Sequence, residues 1–127
     1  MGDPMLYAML CYHSEAIVGA WTEEEDAAVM TRLGVIQERL AREGKLGPVA
    51  RLQPTTSATT LRKDREPAMI VDGPFAETKE QLLGFYVLDC ASMDEAVDIA
   101  RELGQANPGG TYELRPISIF MQGNVAA

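Results

Sequence analysis

The first hydrophobic signal in the chain is unbroken. Residues Met5–Tyr12, "MLYAMLCY", carry no polar position that would mark an outer face, and they read as a strand. The period then changes. Behind "TEEE", apolar residues fall at Val29, Leu33, Ile36 and Leu40, one stripe of an amphipathic helix. Thr22 with Glu25 three residues on is a capping-box pattern. The acids Glu23–Asp26 suit the positive helix end, and Gly44 suits the stop. A strand candidate follows in "LGPVARLQP", 46–54, and "ATTLRK" pairs with "AMIVD" across the polar turn "DREP". Leu83–Cys90 is another strand. Ser92 and Glu95 repeat the capping pattern and open a second helix with a stripe of Ala96, Ile99, Ala100 and Leu103. "NPGG" breaks that helix, and Thr111–Met121 reads as the last strand.

The order is strand, helix, strand, hairpin, strand, helix, strand. Two strand–helix–strand units with right-handed crossovers predict an α+β fold, a ferredoxin-like sandwich with an antiparallel or mixed sheet and both helices on one face. The chain reads as a single domain over 1–127, with flexible tails at 1–4 and 122–127. The strands, however, are apolar on both sides. Met5, Tyr7, Met9 and Cys11 oppose Leu6, Ala8, Leu10 and Tyr12, and Leu83, Phe85 and Val87 oppose Tyr86, Leu88 and Cys90. A sheet with one wet face would alternate apolar and polar. Two helices cover one face, so the other needs either a second copy of the chain or a small-molecule pocket, and the two are compatible. A homodimer through the open face, closing into an α+β barrel, is the expectation.

Composition narrows the partners. Of 127 residues, 46% are hydrophobic and 24% charged, ordinary values for one soluble globular domain. Nineteen acids against eleven bases leave a net charge of −8, and no Lys/Arg run occurs. That argues against a nucleic-acid face and against an anionic membrane surface. Cys11 and Cys90 sit in apolar strands without a paired-cysteine spacing, so each reads as a buried free thiol. With a single histidine, no metal site and no cofactor are expected. No secretory leader is visible, which makes the cytoplasm the expected location.

The densest chemistry lies in "VDGPFAETKEQLLGFY", 71–86. Asp72-Gly73-Pro74 is a turn. Phe75 reads as an anchor that packs the loop down, "ETKEQL" as a short helical turn capped by Thr78, and Gly84 as a point of close backbone approach. The charges Asp72, Glu77, Lys79 and Glu80 fit two readings. Asp72 either caps the turn, or stands with Glu80 and Lys79 at the mouth of a cleft where it binds or moves protons. His13 is either a polar strand end or a general base, since imidazole titrates near neutrality. Arg115 either pairs with an acid across the sheet or holds a ligand carboxylate. Tyr86 is a core position whose hydroxyl needs a partner.

The stretch "DGPFAETKEQLLGFY" resembles the signature of the DGPF proteins within the YCII-related family. The likeness extends to "MLYAMLCY", "LQPTTSATTLR", "SMDEAVDIA" and "YELRPI", nearly the whole chain. The resemblance implies a ferredoxin-like fold that dimerises into an α+β barrel, in bacterial cytoplasmic proteins of unsettled biochemistry. It also implies a link to sigma-factor regulation, through genes found near extracytoplasmic-function sigma factors. Many relatives carry a histidine in the middle of the first helix, read together with an aspartate as an enzymatic pair. Here Leu33 stands at about that position, while Asp72 remains.

The leading expectation is a small-molecule-binding or regulatory module. Its cleft would be formed by the first strand, the DGPF loop and the last strand, with Phe75, Lys79, Glu80, Tyr86 and Arg115 on a small polar ligand. The alternative is a cofactor-independent enzyme of isomerase or lyase type with Asp72 or His13 as general base. A third reading is a protein–protein module without a pocket.

Overall fold

The computed structural model describes residues 5–125. Four strands form one sheet in the order β2-β5-β1-β6. They are β1 (Met5–His13), β2 (Leu46–Arg51), β5 (Gln81–Cys90) and β6 (Thr111–Pro116). Every pairing in it is antiparallel. Helices α2 (Glu23–Arg42) and α3 (Met93–Ala106) are the crossovers from β1 to β2 and from β5 to β6. The ferredoxin-like α+β sandwich read from the sequence is therefore the architecture. A separate hairpin of β3 (Thr59–Arg62) and β4 (Met69–Asp72) is inserted between β2 and β5.

Both long helices start where the capping signals placed them. Thr22 and Glu25 form the reciprocal box: Glu25 N–H donates to Thr22 Oγ1 at 3.0 Å, and Thr22 N–H donates to Glu25 Oε1 at 2.9 Å. Ser92 Oγ accepts from Glu95 N–H at 3.2 Å, but the Glu95 carboxylate reaches one residue further back, to Ala91 N–H at 2.8 Å. The helix-facing side of the sheet is set by register. Tyr7 lies opposite Leu88, Met9 opposite Tyr86, and Cys11 opposite both Gly84 and Tyr112. With Val29, Leu33 and Leu40 of α2 and Ala96, Ile99, Ala100 and Leu103 of α3, these residues make the core. Tyr7, Met9, Leu40, Leu88 and Leu103 are essentially inaccessible.

Polar ties hold the two helices in register. Arg39 makes a two-pronged contact to Glu102 at 2.5 and 2.6 Å, Arg32 Nε donates to the Ala106 carbonyl at 3.2 Å, and Lys45 pairs with Glu95 at 3.2 Å. Gly84 is the tightest point of the sheet. A Cβ there would lie 2.3 Å from the Ala50 carbonyl oxygen, so β2 and β5 close up only because no side chain intervenes.

The opposite face of the sheet carries Leu6, Ala8, Leu10, Tyr12 and Phe85, all half-buried. Glu113 and Arg115 of β6 border them, paired in register with Leu10 and Ala8. The two-sided apolar strands are thus real, and among the described residues no helix covers the second side.

Several sequence expectations are corrected. A five-residue helix, α1 (Glu15–Gly19), follows β1 with Ser14 as its cap. It is too short to show an apolar stripe. β5 begins at Gln81 rather than Leu83, and "ETKEQL" forms no helical turn: the Gln81 side chain donates to the Thr78 carbonyl while the backbone enters the sheet. The last strand stops at Pro116 instead of running to Met121: Pro116 pairs with Tyr7, Ile117 N–H still donates to the Leu6 carbonyl at 2.8 Å, and β1, which starts at Met5, is by then nearly used up as a partner. Of the expected tails, 1–4 and 126–127 lie outside the described residues; 122–125 are exposed coil.

Candidate functional site

A cleft opens between the N-terminal half of α2 and the helix-facing side of the sheet, with about 130 Å³ of room. An engineered apolar cavity of about 150 Å³ holds benzene, so this space suits one ring. Val29 and Leu33 of α2, Val49 of β2 and Trp21 ahead of α2 supply apolar wall. Cys11, Tyr86 and Tyr112, from three adjacent strands, bring polar atoms to it, and His13 stands at its end.

Local bonding fixes each of these groups. His13 Nδ1 accepts from Ser14 N–H at 2.7 Å, which leaves Nε2 to carry the proton of the neutral ring. Trp21 meets the imidazole edge to face at 6.2 Å between centroids. Gly109 and Gly110 run beneath the ring with φ of +80° each, and a Cβ on Gly109 would lie 2.6 Å from His13 Nε2. The "NPGG" break is therefore also the seat of the histidine. Tyr86 Oη accepts from Gln37 Nε2 at 2.7 Å, and Tyr112 Oη accepts from Asn107 Nδ2 at 3.1 Å.

The cleft is electrically quiet. Burial pushes the Cys11 thiol up to about 12 and the Tyr112 phenol up to about 12. Tyr86 is also raised, mainly by burial, against a lowering pull from Gln37. Ionising Cys11 would oppose ionising either tyrosine, so the three groups act as one protonated cluster. The rim charges neutralise each other, since Arg51 pairs with Asp26 at 3.1 Å. Among the described residues, no three His, Cys, Asp or Glu side chains stand together as a metal site would need, and no helix is long and apolar enough to cross a membrane.

Of the residues singled out from the sequence, His13 and Tyr86 line this cleft, and so does Leu33 of α2. The others stand elsewhere. Asp72 ends β4 and is exposed; Gly73, at φ +102°, is tied to the hairpin by its N–H to the Ala58 carbonyl at 2.7 Å and its carbonyl to Thr60 Oγ1 at 2.8 Å. The Asp72 carboxylate makes no hydrogen bond or ion pair among the described residues. Phe75 anchors nothing in the core. It is 78% exposed, 6.0 Å beneath the Arg62 guanidinium, because the hairpin that carries it stands apart from the main sheet. Lys79 is exposed, and Glu80 accepts from Thr111 Oγ1 at 3.1 Å. Arg115 projects from the open face of the sheet, register partner of Ala8. Within one chain, then, the first and last strands contribute to the cleft and the DGPF loop does not. Gln37, Asn107, Tyr112 and Gly109 were not singled out for the site. Only the glycine pair carried a local signal, and it read as a helix stop.

The YCII-related domain model matches residues 5–121 of the chain. The chain is also similar to an uncharacterized protein of Rhizobium meliloti (strain 1021), 56% identical over 122 residues, which cover 95% of this chain and 98% of that one.

Proposed function

The chain belongs to the YCII-related domain family, and from that premise we propose that it is a small-molecule-binding module whose ligand sits between α2 and the sheet. One observation carries this reading. In an otherwise close-packed core, three polar side chains from three strands meet at an open, apolar-walled space large enough for a ring. A purely structural core would close that space with carbon. The ligand it suits is compact and largely apolar, with few polar atoms, rather than the multiply charged compound that Asp72, Lys79, Glu80 and Arg115 would have suited.

The test is a one-ring fragment panel read by thermal shift on the wild type and on Val49→Trp. Val49 is on the edge strand and 43% exposed, so the larger ring is tolerated there and plugs the mouth. A fragment at about a hundred times its Kd adds about 2.7 kcal/mol to the wild type and little to the plugged variant. Equal shifts in both proteins, or none in the wild type, sink the proposal.

The partner in this reading is a second copy of the chain on the open sheet face. Leu6, Ala8, Leu10 and Phe85 make its apolar centre. Glu113 and Arg115 give it one acid and one base that a two-fold axis pairs reciprocally. Ala8→Arg converts a dimer to a monomer by light scattering if this is right; an unchanged mass refutes it.

A second reading is a cofactor-independent isomerase or lyase. What favours it is the placement of His13, whose ring is held from three sides at the end of the cleft. Asp72 does not reach the cleft within the chain, so its part as a base requires the second copy. Loss of turnover in His13→Gln with unchanged ligand affinity would establish this reading, and equal loss of affinity would return the protein to the binding class.

A further inference from the structure

The four tyrosines differ in what their hydroxyl protons do. Tyr7 donates to Met5 Sδ at 3.8 Å, and Tyr12 donates to Glu113 Oε1 at 3.4 Å. Tyr12 also reaches the cleft, but its proton is committed to Glu113; Tyr86 and Tyr112, the other two that line it, only accept. Their acceptors are occupied by the carboxamides of Gln37 and Asn107, and among the described residues neither O–H has a partner of its own. A carboxamide NH₂ can donate and cannot accept, so it leaves each phenol one direction in which to use its proton. Tyr86 is buried, so that proton has little bulk water to turn to. The Cys11 thiol donates to the Met9 carbonyl at 3.8 Å, and its sulfur is only a weak acceptor for a phenol proton.

We propose that Tyr86 and Tyr112 are a paired hydroxyl donor that binds one acceptor oxygen of the ligand, a carbonyl or phenolate carried on a single planar ring. Val29, Leu33 and Val49 hold the ring, and Gln37 and Asn107 are positioning residues that turn the two protons toward the ligand. The raised phenol groups keep both protons in place across neutral pH, so the donor pair is permanent rather than switched. This rests on the cleft being a ligand site, as proposed above.

The experiment separates the two ideas. Acetophenone and cumene share an outline, but only the ketone carries an acceptor oxygen. Binding of each is measured by chemical-shift titration to the wild type, Tyr86→Phe, Tyr112→Phe and Gln37→Glu. Each Phe variant should weaken acetophenone roughly three- to tenfold and leave cumene unchanged or tighter. Gln37→Glu replaces the donor to Tyr86 by an acceptor that captures its proton, so it should weaken acetophenone to the same degree. Gln37 is partly exposed, so this variant keeps the test open if Tyr86→Phe proves too unstable to titrate. Acetophenone affinity unmoved by all three substitutions overturns the donor pair while leaving the cleft reading intact. If neither probe binds the wild type, the cleft reading fails and the donor pair fails with it.

Discussion

Gly109→Ala is a small change with a large expected effect. The backbone there has φ +80°, which costs a residue with a Cβ about 1–2 kcal/mol. The new methyl would also lie 2.6 Å from His13 Nε2, when carbon–nitrogen contacts settle near 3.5 Å. About an ångström of movement is needed. The ring cannot swing freely, because its other nitrogen is bonded to Ser14 N–H and its face meets Trp21. Weakening the Ser14 bond adds about 1 kcal/mol. The sum is about 2–3 kcal/mol. For 127 residues the unfolding entropy is about 0.27 kcal/mol/K, so the melting temperature should fall by roughly 7–11 °C. Gly34→Ala is the control: it lies inside α2 with nothing within 4 Å of its added methyl, and should raise stability by up to about 1 kcal/mol. The assay is thermal and urea unfolding, with the imidazole followed by long-range ¹H–¹⁵N correlation. His13 is the only histidine, so its signals need no assignment. The wild type should show the Nε2–H tautomer, and Gly109→Ala should move those signals. A variant that melts within about 2 °C of wild type with unmoved imidazole signals would refute the seating of His13 on the glycine pair.

Gly84→Ala should cost more than about 3 kcal/mol, or prevent folding outright, since its methyl meets the Ala50 carbonyl oxygen at 2.3 Å inside the sheet; urea midpoints near wild type would contradict the strand spacing. Cys11 and Cys90, half-buried and buried, with thiols pushed up to about 12 and about 11, should react with a disulfide reagent at pH 8 at least ~100-fold slower than in the unfolded chain, and two rapid equivalents in the native protein would be inconsistent with those raised thiols. The Glu102 carboxyl is held below its usual value by the Arg39 guanidinium, so its contribution is complete above the ordinary 4.5 and is lost as pH falls through the lowered value. Glu102→Gln should therefore narrow its melting gap to wild type between pH 5 and about 3, a gap of no more than a few degrees for so exposed a pair; a gap that widens on acidification would reverse the assigned sign.

What could be read from the chain before its structure was local or periodic. The two capping signals and the helical stripes are short-range physics, and they located α2 and α3 to within a residue. The doubly apolar β1 and β5 are continuous runs where a half-wet strand would alternate, and both faces are as read. Helix α1 escaped because five residues cannot show a period, and β6 was overrun because "ISIF" is strand-like while its partner β1 starts at Met5, two residues beyond the Tyr7–Pro116 pair. The site escaped further. Gln37 is a polar residue beside a helix stripe, Asn107 follows a helix, and Tyr112 reads as core. Each becomes functional only through a partner 5 to 49 positions away. Conversely, the charge-rich DGPF segment drew attention because its residues are adjacent in sequence, and adjacency on an exposed hairpin is not convergence.

The most direct measurement is a methyl and aromatic chemical-shift map of the wild-type protein titrated with acetophenone. Binding in the cleft predicts that Val29, Leu33, Val49, Tyr86 and Tyr112 shift together along one saturable isotherm, while Val71 and Phe75 at the DGPF turn stay still. Shifts confined to Val71, Phe75 and their hairpin, with the α2 and β5 resonances unmoved, would contradict the placement of the site and return it to the DGPF loop.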